Sequence, residues 1–376
     1  MKFLNTLSLL VAAVRAKDLL PPTTGPYSVA NKVVPLVDEK RWDALAPEDK
    51  PQKRNILIDM YIPFDGPCKA KAQPFFPPQT EVAVGKFAES LGLPAEIVAG
   101  YEIEYCTLPD EGKAKNNTQL PVILFSPGLQ GSRLYYAAQA RSLASYGYLV
   151  ITVDYPFETL IVEFPNNTTY VAEPLTETDP ALASKYGLIR AEDASFIIDK
   201  LPDLVTGLPT RFDTTKVLAY GHSLGGHTAA QTALSDPRVV GAMDIDGALW
   251  SPVAEQGLDI PYVFLLSENT NTSFPDITEP WSRFRGPKLL AKLNGTEHSS
   301  FIDFSLLLEV RGVPEELKEA VAQWIGTIKG SRMEEVVRSI VVALADFVFV
   351  GDSSGLLGLN DEFEELEVPE THVPDN

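Results

Sequence analysis

Cysteine, histidine and long apolar runs are all scarce in this chain, and each scarcity removes a class of function. Cys68 and Cys106 are the only cysteines among 376 residues, too few for a zinc or iron–sulfur cluster. The four histidines, His222, His227, His298 and His372, fall at no metal-ligand spacing, so no metal and no other cofactor is expected. Positive charge is short too: 31 lysines and arginines stand against 51 aspartates and glutamates, a formal charge of −20. Such a surface repels nucleic acid and anionic membranes on average, and a nucleic-acid partner is not expected. No internal stretch approaches the roughly 20 apolar residues of a membrane span. The best, 340–350, is short and carries Asp346.

At the N-terminus, Met1-Lys2, the apolar stretch 3–14 and the small residues Val14 and Ala16 read as a signal peptide over 1–16. Cleavage there would remove Lys2 and Arg15 and take the charge from −20 to −22. The chain is therefore expected to be secreted, and in an oxidising compartment Cys68 and Cys106 should pair. Glycosylation sequons stand at Asn116, Asn166, Asn167, Asn271 and Asn294. With 45% hydrophobic residues and no repeat period, residues 17–355 are expected to form one globular domain, followed by an acidic, disordered tail over 356–376.

Within that domain the proline-rich stretch 17–51 is expected to be irregular and to wrap the surface. Residues 56–63 alternate in hydrophobicity like a strand near a sheet edge. Residues 65–100 look like an insertion with a short helix at 80–91, and 101–105 like a returning strand. From 121 onward, apolar runs at 121–126 and 148–154 alternate with helical patterns at 133–146 and 190–201. That order predicts an α/β fold: a mostly parallel central sheet, helices on both faces, and ligands at the carboxyl ends of the strands. The loop 155–188 is too long for a plain connection. It could be a lid or pocket wall, or a surface loop with its own apolar cluster. Further strands are expected at 239–245 and 262–266, and helices at 281–290, 314–328 and 333–350.

The chemistry centres on Gly221-His222-Ser223-Leu224-Gly225, a G-x-S-x-G turn between an apolar strand (217–220) and a helix-forming run. The glycines allow a sharp turn that lifts Ser223 to the top of the sheet as a nucleophile. A serine needs a base, normally an imidazole oriented by a carboxylate. In the chain order serine, acid, histidine, His298 is the base that fits, on the loop after the last predicted strand, while His222 lies inside the turn, His227 on the helix behind it and His372 in the tail. Asp244, Asp246 and Glu268 all lie at strand ends between Ser223 and His298. Asp246, past the last paired residue of its strand, is favoured as the acid, and Glu268 is its rival. An oxyanion hole is expected from the backbone N–H of Leu224 and of Leu129 in Pro127-Gly-Leu-Gln-Gly131. The aromatic side chains near these positions, Phe157, Phe164, Trp250 and Phe301, are candidates to wall the substrate pocket.

Thr24-Gly-Pro-Tyr-Ser-Val29, Phe125-Ser-Pro-Gly-Leu129, Gly221-His-Ser-Leu-Gly-Gly226, the segment from Asp246 to Trp250 and the segment from Gly295 to Phe304 together resemble the plasma-type platelet-activating factor acetylhydrolase family, in particular its secreted fungal members. The resemblance implies an α/β-hydrolase fold, a Ser223–Asp246–His298 triad and a hole at the amides of Leu129 and Leu224. It also implies a cofactor-free serine esterase acting on short acyl esters of phospholipid-like substrates, monomeric and at most peripheral at lipid surfaces. Two departures bear on substrate preference. Pro127 stands where animal members have histidine, and Gly-Ala-Leu separates Asp246 from Trp250. A general carboxylesterase or polyester hydrolase of the same fold is the alternative enzyme reading. A catalytically inactive binding protein is the alternative of another class.

Overall fold

A computed structural model of the chain describes residues 18–109, 118–173, 179–270 and 275–375. The expected signal peptide and the sequons at Asn116 and Asn271 lie outside the described residues. Nine strands form the main sheet: β1 (Ser28–Trp42), β2 (Lys53–Phe64), β3 (Gln119–Ser126), β4 (Leu149–Asp154), β5 (Arg211–His222), β6 (Val239–Ile245), β7 (Tyr262–Ser267), β8 (Lys288–Leu293) and β9 (Leu366–Thr371). Their spatial order is β9-β8-β7-β6-β5-β3-β4-β2-β1. The six strands from β3 to β8 run parallel, while β2 and β1 at one edge and β9 at the other join antiparallel.

The parallel strands are continuous apolar runs because both faces are covered. Along β3, Val122 and Leu124 enter one core while Ile123 and Phe125 enter the other, and β5 divides Val217 and Ala219 from Leu218 and Tyr220 in the same way. On the first face, helix α3 (Pro180–Leu204) lays Ala194, Ile197, Ile198 and Leu201 against the sheet beside α4 (Leu224–Ser235). Asp179 starts α3 by accepting the Ala181 N–H at 2.9 Å, with Pro180 in the first turn. On the second face pack α2 (Ala137–Ala144) and α6 (Gly330–Val350), the latter through Val337, Ile340, Val341 and Leu344. Gly351 ends α6 at φ 87°, the left-handed conformation that suits glycine.

Three expectations are corrected. The stretch 17–51 is not irregular: 15 of its residues form β1, an edge strand whose exposed positions mix Lys32, Glu39 and Lys40 with Val33, Val37 and Trp42 and so show no clean alternation. The tail over 356–376 is not disordered. Leu356, Leu359, Phe363 and Leu366 are buried, and β9 pairs with β8; four apolar anchors, each contributing on the order of 1.5–3 kcal/mol gross, outweigh the acidic composition. The helix expected at 281–290 lies earlier, as α5 (Pro275–Arg283), and β8 begins at Lys288.

The insertion at 65–100 supplies α1 (Pro78–Ser90) and a strand, Ala70–Pro74. That strand pairs with Tyr101–Cys106, and Asp18–Leu19 completes a separate three-stranded sheet. Cys68 and Cys106 are disulfide-bonded across a sequence separation of 38, stapling the insertion to its return strand. Peptide mapping without reduction should recover the two cysteines in one linked fragment. A loop of this length is worth about 3–4 kcal/mol to the folded state, so Cys68→Ser should lower the melting temperature, and two free thiols in the wild type would overturn the pairing.

Candidate active site

Leu129, Ser223, Leu224, Asp246 and His298 all fall just past the carboxyl ends of parallel strands. Ser223 lies where β5 turns into α4, with φ 56° and ψ −126°, a strained backbone costing about 1–3 kcal/mol. The flanking glycines make the turn possible. A Cβ on Gly221 would collide with the Gly225 backbone, and one on Gly225 with the Ser126 carbonyl. The Ser223 N–H donates to the Ile245 carbonyl at 2.7 Å, fixing the turn to β6.

His298 opens the 3₁₀ turn His298–Phe301 that follows β8. Its Nδ1–H donates to Asp246 Oδ2 at 2.7 Å, which leaves Nε2 with the lone pair of a neutral imidazole. Asp246 stands one residue past β6 at φ 51°, and its other oxygen accepts from the Ser267 N–H at 2.8 Å and the Thr270 hydroxyl at 2.7 Å. Burial alone would raise the Asp246 carboxyl. The hydrogen bonds from His298, the Ser267 amide and Thr270 outweigh it and hold the group below the usual carboxylate range. The other two carboxylates are engaged elsewhere. Glu268 accepts the Gly295 N–H at 2.6 Å. Asp244 is fully buried behind the elbow, where it accepts the Gly247 N–H at 2.9 Å and burial pushes its carboxyl well up. Of the three, Asp246 is the one that meets His298.

Ser223, Leu224, Leu129, His298 and Trp250 line one cavity of about 360 Å³, walled further by Tyr135, Leu160, Phe304 and Trp324. Gly128 brings the loop 127–131 against Ser223: a Cβ built there would lie 3.3 Å from the Ser223 Cβ. The Leu129 N–H has no hydrogen-bond partner among the described residues, and Leu224, the first residue of α4, has an N–H outside the helical ladder. A hydroxyl, an imidazole with its open nitrogen and two free amides around one cavity are the parts of acyl transfer.

Three of the four aromatic candidates lie elsewhere. Phe157 and Phe164 pack on Tyr170, with ring centroids 4.9 and 5.4 Å away, because the 155–188 segment folds a hairpin of Ile161–Glu163 and Thr169–Val171 with its own apolar cluster. Leu160 and Ala183, from the same segment, reach the cavity instead. Phe301 is fully buried in the core, 5.9 Å from the His222 ring. Asn166 and Asn167 are exposed at the hairpin turn, whereas the Asn294 amide donates to Glu367 at 2.9 Å.

Two residues at the site were not foreseen. His222 Nε2 donates to the His298 carbonyl at 2.9 Å, so its Nδ1 accepts from the Tyr136 hydroxyl at 2.8 Å. Burial, reinforced by the charge His298 can carry, pushes the His222 imidazole down to about 3, and it stays neutral. Tyr136 and His222 thus link the loop 127–131, the elbow and His298. The position of His222 inside the motif was a usable signal; nothing local marks Tyr136.

Comparison with known proteins fits this geometry. Residues 12–173 match the family model described as platelet-activating factor acetylhydrolase, isoform II. A probable 1-alkyl-2-acetylglycerophosphocholine esterase of Arthroderma benhamiae is 26% identical over 95% of both chains. A platelet-activating factor acetylhydrolase of Cavia porcellus is 24% identical over 51% of this chain and 50% of its own. A ferulic acid esterase from Streptomyces cinnamoneus, 24% identical, superposes with a TM-score of 0.74 over 94% of this chain and 100% of its own, a likeness of fold. The α/β-hydrolase architecture, the family model matched over residues 12–173 and a relative covering 95% of the chain converge on a carboxylic ester hydrolase similar to the platelet-activating factor acetylhydrolase, isoform II, family.

Proposed function

We propose that the protein is a secreted serine esterase that removes acetyl and other short acyl groups from phospholipid-like esters through a Ser223–His298–Asp246 triad. The observation that carries the reading is the 2.7 Å Asp246–His298 hydrogen bond on the same cavity as the strained Ser223 turn. In this reading Ser223 Oγ attacks the ester carbonyl carbon as His298 Nε2 takes its proton. The N–H groups of Leu129 and Leu224 receive the oxyanion, and His298 returns the proton to the leaving alcohol. Water, activated by the same imidazole, then frees the acid from Ser223. The named A. benhamiae relative supports an acetylated ether glycerophosphocholine as the substrate class. Export rests on the leader over 1–16, and a mature chain starting at Lys17 in the same peptide map supports it, whereas one starting at Met1 sinks it.

The cavity, near the lower end of the roughly 300–1,000 Å³ usual for small-molecule sites, is closed in by Trp250, Phe304 and Trp324. A methylene that fits contributes about 0.8 kcal/mol, and one that collides costs a similar amount or more. Across a series of nitrophenyl esters run beside an acetylated ether phospholipid, acetyl and butyryl esters should exceed palmitoyl by roughly tenfold or more in kcat/KM, with a chelator present. Trp250→Ala should narrow the gap. A rate that climbs steadily to long chains, or one abolished by the chelator, would count against the short-acyl reading.

A further inference from the structure

Arg190 is fully buried on α3, and all of its guanidinium is directed at the segment around the hole loop. Its Nε donates to Glu158 Oε2 at 3.0 Å, and its Nη2 pairs with Glu158 Oε1. Nη1 donates to the Pro127 carbonyl at 2.6 Å, and Nη2 to the Gly128 carbonyl at 3.1 Å. The guanidinium lies 4.4 Å from the centroid of the Tyr155 ring, whose hydroxyl bonds Ser126 at 3.0 Å. Just beyond, the Gln130 carbonyl accepts from the Leu160 N–H at 3.0 Å. The Gly128 carbonyl also accepts the Gly131 N–H of its own turn at 3.0 Å, so that turn and Arg190 hold it together, while Arg190 alone holds the Pro127 carbonyl.

A buried ion pair contributes little to stability beyond what apolar side chains of the same volume would give, so a role in geometry accounts for this one better. In a planar trans peptide, the carbonyl of one residue and the N–H of the next point in opposite directions from a single rigid plane. Anchoring the Gly128 carbonyl on Arg190 therefore turns the Leu129 N–H away from Arg190, and that N–H has no partner among the described residues on the cavity it shares with Ser223. We propose that the Arg190–Glu158 pair is a positioning device that presets the Leu129 amide for the oxyanion. The proposal rests on the reading of Leu129 as a hole donor. The pair touches no substrate; it acts through the peptide plane it holds.

The test uses the full chain and two variants. Arg190→Met combined with Glu158→Gln removes both charges together, and Arg190→Lys keeps the ion pair but cannot hold two carbonyls at once. The double variant should lose on the order of 10²-fold or more in kcat, the effect of removing one hole donor, with KM changed less than about twofold. Arg190→Lys should fall between it and wild type. Affinity for a trifluoromethyl ketone, which forms a tetrahedral adduct on Ser223, should drop in step with kcat. Affinity of an Ser223→Ala background for intact substrate should not change. If Arg190→Lys or the folded double variant keeps kcat within about threefold of wild type while Ser223→Ala is inactive, the positioning role is overturned and the nucleophile reading stands. Ground-state substrate affinity falling in parallel with kcat would overturn it too, by reducing Arg190 to a pocket-shaping residue. Turnover surviving Ser223→Ala would overturn the underlying reading itself.

Discussion

Ser223→Ala and His298→Ala should each lower kcat by roughly 10⁴-fold or more, with circular dichroism and melting temperature close to wild type. Neither side chain holds the fold together. Ser223 is seated by its backbone N–H and its glycine neighbours, and the His298 side chain is 54% exposed, its one side-chain hydrogen bond among the described residues going to Asp246. Their removal should therefore be felt in the chemistry alone, because the hydroxyl and the proton acceptor act as one unit. Purified His298→Ala with near wild-type turnover would remove the histidine from the proposed triad.

Asp246→Asn should cost about as much, on the order of 10⁴-fold in kcat. The carboxylate fixes the imidazole with Nδ1 protonated and Nε2 open, and it stabilises the imidazolium that forms as Ser223 attacks. An amide can turn its NH₂ toward Nδ1, favouring the opposite tautomer and closing Nε2 to the serine proton. Glu268→Gln should change kcat by less than about threefold, since a glutamine oxygen can still accept the Gly295 N–H that Glu268 now holds. The reverse order of effects would transfer the acid to the end of β7.

The legible parts of this chain are those where local physics and tertiary packing agree. The strands β3 to β7 are buried on both faces and stand out as apolar runs. The elbow shows itself because a strained serine demands glycine on either side, and Asp246 is separated from Asp244 by the period of a strand. Legibility failed at both edges of the sheet. β1 presents Lys32, Pro35, Glu39 and Lys40 outward, and its pairing with β2 depends on residues distant in the sequence. Phe157 and Phe164 lie near the site in the chain, but the direction of a side chain in a turn is not written in its spacing; Phe157 sits at φ 66°. Arg190 could have been found. It shares the helical stripe of Ala194, Ile197, Ile198 and Leu201, and a cation on a buried stripe requires a buried anion.

The acidic C-terminal strand has a bearing on self-association. β8 carries Leu289, Leu290, Ala291 and Leu293 and leads straight into the turn that bears His298. Without β9 it would be the outermost strand, its bare N–H and C=O groups a template for another copy of the chain. β9 occupies that position and exposes Glu367 and Pro369; the proline has no N–H to add to a ladder, and the charge disfavours a further strand. A composition that resembles disorder when read alone is also what a strand guarding an open edge requires, and a protease cutting between α6 and β9 should favour association of the chain through β8.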